Sequence, residues 1–113
     1  MIKNTTKNFV IIKKAKICRS IICKACGFMF RLQTPDYAQV FIFNNERKID
    51  LHMFFVFFPI DVLFLDKDKK VVEIKKNFEP FAYYSPKVKA QYIVELPVGM
   101  LKKTKVGDNI GFG

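Results

Sequence analysis

The chain has 113 residues, 50% of them hydrophobic and 15% aromatic, with 20 Lys and Arg against 10 Asp and Glu, a formal net charge of +10. This is one domain, 1–113, with enough apolar side chain to bury a core without metal or disulfides, and the composition excludes a disordered chain. Its longest apolar run, residues 53–60, falls far short of the roughly 20 residues of a membrane-spanning helix, contains Pro59 and is followed by Asp61.

Residues 1–9 begin basic, but only Phe9–Ile12 is apolar before Lys13 and Lys14. A secretory signal needs a longer apolar segment and a small-residue cleavage site, so a cytoplasmic protein is expected, with residues 1–8 a loose N-terminus. Three cysteines, an odd number, suit a reducing compartment and leave one disulfide open as the alternative. Of the basic residues only Arg19, Arg31 and Arg47 are arginine. Guanidinium forks are the usual readers of guanine edges, so a lysine-dominated surface argues against sequence-specific nucleic-acid readout and leaves non-specific attraction open.

In chain order, Phe9–Ile12 is a first strand, continuing irregularly through Ala15 and Ile17. In residues 18–27, Ile21, Ile22, Ala25 and Cys26 recur at helical spacing before Gly27, which predicts one short helix with a C-terminal glycine cap. Residues 31–36 are loop, residues 39–43 a clear strand, and residues 44–48 its polar turn. Residues 53–58 read as a strand apolar on both sides and therefore covered twice. Ile60–Leu65 follows, with Asp61 on the face of Leu63 and Leu65. The polar residues 66–69 turn the chain into a hairpin partner beginning at Val71. Residues 77–90, with two prolines and four aromatics, form a long ordered loop. Residues 91–96 are a strand, 97–99 a turn, 100–104 at most a helical turn, and Gly107-Asp108 bends into a last short strand. The whole describes a compact, mainly β, mainly antiparallel sandwich or barrel with one short helix.

Six blocks then stand in a recognisable order. They are Gly27-Phe28-Met29-Phe30-Arg31, Val40-Phe41-Ile42-Phe43, Pro59-Ile60-Asp61-Val62-Leu63-Phe64-Leu65-Asp66, Val71-Val72, Tyr92-Ile93-Val94-Glu95-Leu96-Pro97-Val98-Gly99 and Lys105-Val106-Gly107-Asp108. From about Phe9 onward the chain resembles the family known as domain of unknown function 192. The resemblance implies a small single-domain fold of the sandwich or jelly-roll kind and no reaction. Many members carry an exported N-terminus, and many bacterial members have Trp-Met-Lys-Asn where this chain has His52-Met53-Phe54-Phe55, so the role of that Lys-Asn pair does not carry over.

Cys18, Cys23 and Cys26 have the spacing of the first three ligands of a plant-type iron–sulfur loop, but there is no fourth cysteine and His52 is the only histidine to complete a set. Buried thiols are the plainer reading, and no cofactor is expected. His52 is a candidate base or a strand-edge residue. Asp61, flanked by apolar neighbours, is a candidate perturbed carboxylate or a structural acid held by backbone groups or Arg31. Glu95 has the same two readings. Convergence of Asp61, Glu95, His52 and Arg31 on one cavity would make an acid–base site. The aromatic loop Phe78, Phe81, Tyr83 and Tyr84, flanked by Lys75, Lys76, Lys87 and Lys89, resembles a stacking surface for single-stranded nucleic acid, against the plainer reading of loop packing.

These features point to a monomeric binding module whose ligand or protein partner is unidentified, with its surface near the His52 strand and the aromatic loop. A weak, non-specific nucleic-acid binder is the alternative, and a small enzyme built on Asp61 and His52 the third reading.

Overall fold

The computed structural model describes residues 1–19, 28, 34–53 and 55–112. Among the described residues there are ten strands: β1 (Ile2–Asn4), β2 (Phe9–Ile12), β3 (Ala15–Cys18), β4 (Ala38–Arg47), β5 (Leu51–His52), β6 (Ile60–Leu65), β7 (Val71–Phe78), β8 (Tyr83–Tyr84), β9 (Ala90–Pro97) and β10 (Ile110–Phe112). A five-stranded sheet runs β3-β4-β9-β6-β7, a three-stranded sheet β10-β1-β2, and a short ribbon β5-β8. All pairings are antiparallel except β3 with β4. The expected β fold is present, and no helix occurs among the described residues; the helix expected over residues 18–27 lies almost wholly outside them, and its first residue, Cys18, ends β3.

The five-stranded sheet is the middle layer. Along β6 every residue is buried, because alternate side chains enter two different cores. Leu63 and Leu65 join Val40, Val94 and Leu96 on one face, against Ile2, Ile11, Ile12 and Ile110 of the three-stranded sheet. Ile60, Val62 and Phe64 join Phe41 and Ile93 on the other face, under Met53, Val56, Phe58 and the β5-β8 ribbon. Each fully buried aliphatic or aromatic side chain contributes about 1.5–3 kcal/mol.

Two expectations are corrected here. Residues 1–8 are not loose: Ile2–Asn4 is the central strand of the three-stranded sheet, and Ile2 and Asn4 are fully buried. Met53 and residues 55–58 lie in no strand, and Phe54, which completes the expected strand, lies outside the described residues. Of the described residues there, Met53, Val56 and Phe58 are buried while Phe55 and Phe57 are exposed, and the doubly covered strand is β6.

Candidate functional site

Asp61 is 4% exposed, and both of its oxygens are occupied. Oδ1 accepts the Asn77 amide at 2.8 Å and Oδ2 the Gly99 amide at 3.1 Å. Between the pairs Ile60–Phe78 and Val62–Lys75 the ladder slips, which leaves Asn77 in a bulge with φ of 51°, and Gly99 turns at φ of 95°. One carboxylate therefore braces two left-handed corners whose N–H groups the ladder does not use. That is a structural duty: each carboxylate oxygen holds one backbone N–H.

Glu95 sits on the opposite face of the sheet, between its cross-strand partners Gln39 and Val62. Burial lifts its carboxyl to about 7. His52 is exposed on the ribbon, opposite Tyr83. Asp61 and Glu95 thus face different layers and His52 lies on a separate ribbon. Arg31 lies outside the described residues, as do Cys23 and Cys26. Cys18 is buried and disulfide-bonded, a state in which its sulfur is not a thiolate ligand. Among the described residues no three His, Cys, Asp or Glu side chains come together in a way that could hold a metal ion.

The aromatic loop divides in two. Phe78 is 1% exposed and Tyr84 packs its ring on Phe64 and Phe78. The Tyr84 hydroxyl donates to Glu73 Oε2, which pushes the phenol up to about 12, and Glu73 Oε1 accepts the Lys87 and Val88 amides at 2.8 and 3.3 Å. Lys75 Nζ lies 5.3 Å from the centre of the Tyr84 ring. These groups anchor the loop. By contrast, Phe81 and Tyr83 are exposed, and so are Lys76, Lys87 and Lys89.

Phe81 is joined by two rings that the sequence reading had placed inside. The Phe55 and Phe57 centroids stand 6.2 and 5.7 Å from that of Phe81, both edge-on. The cluster is fixed by backbone pairing that prolongs the ribbon: Met53 N–H donates to Ala82 O, and Phe81 N–H donates to Met53 O, each at 2.8 Å. At the ribbon's other side Asp50 accepts from the Tyr83 and Ser85 hydroxyls at 2.5 and 2.8 Å, which holds its carboxyl below the usual range. Among the described residues the Phe55–Phe57–Phe81 cluster and Tyr83 are the exposed aromatic side chains.

The family model for domain of unknown function 192, described as an uncharacterized ACR, matches residues 2–112. The chain belongs to this family. Among domain of unknown function 192 relatives, the UPF0127 protein of Pyrococcus horikoshii is 40% identical over 97% of this chain and 96% of its own length. That of Thermococcus sibiricus is 38% identical over 97% of this chain and 73% of its own. A crystal structure from Sinorhizobium meliloti 1021, of a protein proposed as a transcription regulator, superposes with a TM-score of 0.78 at 25% identity, covering 86% of this chain and 79% of that one. A protein of unknown function from Novosphingobium aromaticivorans superposes equally well, TM-score 0.78, at 21% identity over 87% and 74% of the two chains. The family has no established activity.

In this family member no helix among the described residues is long and apolar enough to cross a membrane. Sequence reasoning missed Phe55 and Phe57 as surface residues. In an unbroken apolar run no polar residue marks the outward positions, so the only available signal was Pro59, which argues against a long paired strand.

Proposed function

We propose that this domain is a binding module rather than an enzyme, and that its contact surface is the Phe55–Phe57–Phe81 cluster with Tyr83 and His52 beside it. One observation carries this reading. The three phenylalanines are 48%, 44% and 52% exposed, and Phe55 and Phe81 hold φ of 57° and 62°. A left-handed backbone at a bulky side chain costs about 1 kcal/mol or more, and folding recovers little of it from rings left in water. Rigidly displayed rings suit a ligand with flat, weakly polar faces, such as a sugar ring or a nucleobase. The exposed Lys76, Lys87 and Lys89 favour the nucleic-acid version as the second reading, with Phe81 and Tyr83 as its stacking rings. The reading takes the domain as a cytoplasmic monomer. The Cys18 disulfide weighs against that compartment, since such bonds persist mainly under oxidising conditions.

The test is a backbone-amide NMR titration with a neutral oligosaccharide and, separately, a short oligothymidylate at low and high salt. Saturable shifts centred on Phe55, Phe57, Phe81 and Tyr83, lost in the Phe57→Ser/Phe81→Ser double variant without a drop in its melting temperature, are expected from one of the probes. Steep loss of the oligothymidylate response with salt would select the second reading. Shifts centred elsewhere, or none with either probe, defeat the proposal.

A further inference from the structure

A second feature lies on the opposite face of the central sheet. Under the three-stranded sheet Val40, Val94 and Leu63 are fully buried, whereas the paired Ile42 and Tyr92 are only partly buried. There the two layers part into an open cleft of about 350 Å³. Among the described residues its apolar surface comes from Met1, Ile17 on β3, Ile42, Tyr92 and Phe112, and its charged side chains are those of Arg19 and Lys69. Among the described residues neither cation has a carboxylate partner.

Lys69 is held in place over this cleft. Its main chain takes φ of 63° in the β6–β7 turn, its N–H donates to Asp66 O at 3.0 Å, and its carbonyl accepts the Ile110 amide at 2.9 Å. The Asp66 carboxylate closes the same turn by accepting the Asp68 and Lys70 amides at 2.9 and 3.0 Å. From this tethered position Lys69 Nζ stands 4.8 Å from the Phe112 ring centre and 5.7 Å from that of Tyr92, and the two rings meet edge-on at 5.6 Å. An ammonium on aromatic faces keeps its charge exposed to a third group, because rings do not neutralise it. The lining therefore joins an apolar wall to unneutralised positive charge, in a volume at the small end of known ligand sites, about 300–1,000 Å³.

We propose that this cleft binds a small organic carboxylate with a flat apolar body. The body lies against Tyr92, Phe112, Ile17 and Ile42, and the carboxylate meets Lys69 and Arg19. A purely apolar ligand would leave both cations without an anion, and a bare inorganic anion would leave the wall wet; the amphipathic acid satisfies both halves.

The experiment is an amide-shift titration of the full chain with 2-naphthoate, its neutral amide, acetate and inorganic phosphate. Naphthoate is expected to give saturable shifts at Ile17, Ile42, Tyr92 and Phe112, with the amide at least about tenfold weaker and acetate and phosphate showing no saturation there. Lys69→Gln and Arg19→Gln are each expected to weaken naphthoate about fivefold or more, whereas Lys102→Gln, a lysine over the distant Phe9 ring, leaves it unchanged. Equal binding of acid and amide, equal binding of phosphate, shifts centred on the Phe55–Phe57–Phe81 cluster, or no saturation up to about 10 mM would each overturn the assignment. The ligand comparison on the unaltered protein decides the matter even if a variant fails to fold.

Discussion

Asp61 and Glu95 lie on neighbouring strands, yet the structure gives their carboxyls opposite surroundings. Asp61 receives two backbone N–H groups at bulged and turned corners. Removing it strips a charged acceptor from two part-buried backbone N–H groups, at about 1.5 kcal/mol each. Asp61→Ala is therefore expected to lower stability by about 3 kcal/mol in denaturant unfolding, well beyond an ordinary surface substitution. Glu95 is raised to about 7 by burial, so the folded state holds its proton where the unfolded chain has lost it. Its stability contribution is complete below the ordinary carboxyl range near 4.5 and is lost as pH rises through 7. Glu95→Gln should thus flatten the decline, stabilising the protein at pH 8 by on the order of 2 kcal/mol and leaving it unchanged at pH 4, as read from melting curves at both pH values. A gain of equal size at both would show that the substitution acts through packing rather than through the proton. The sequence signalled both acids, since each interrupts an apolar strand. It did not signal which was braced, because the bracing amides belong to Asn77 and Gly99, 16 and 38 residues from Asp61.

Among the elements, β1 was invisible to sequence patterning. Three residues, one of them lysine, give no period, and its partner β10 lies at the far end of the chain. What fixes β1 is a polar knot: Asn4 Nδ2 donates to Thr104 Oγ1 at 3.1 Å and to Asp108 Oδ2 at 2.9 Å, while Asn4 Oδ1 accepts the Lys7 amide at 2.8 Å. Lys7 Nζ reaches the same Asp108 oxygen at 2.8 Å and, with desolvation opposing it, holds that carboxyl down at about 2. Asn4→Leu keeps the volume but strips these bonds from a fully buried position. It is expected to cost about 2–4 kcal/mol and to speed hydrogen exchange first in β1 and β10. Uniform loss of protection across the five-stranded sheet would instead mean that the knot supports the whole domain. Residues 53–58 failed for the opposite reason: an all-apolar run satisfies every period, and only the pairing of Met53 with the 81–82 backbone turns Phe55 and Phe57 outward.

For the whole molecule, the mainly β, mostly antiparallel architecture was legible because β6 and β9 are long apolar strands separated by polar turns. The assignment of faces was not, since each strand of the middle layer feeds two cores and both take the same residue types. The two proposed surfaces follow from this layering: the aromatic cluster ends the ribbon that caps one face, and the cationic cleft opens at the partly buried Ile42 and Tyr92 on the other. Finally, β1 pairs with β10 through Ile2–Phe112, Lys3–Gly111 and Asn4–Ile110. A chain emerging from the ribosome can pair β1 with β2 and assemble the β6–β7 hairpin early, but the β1–β10 ladder closes only after β10 has been made. Until then Ile110 is missing from the core that Ile2, Ile11 and Ile12 share with the middle sheet, so the last piece of that interior is supplied by chain made long after the strands it covers.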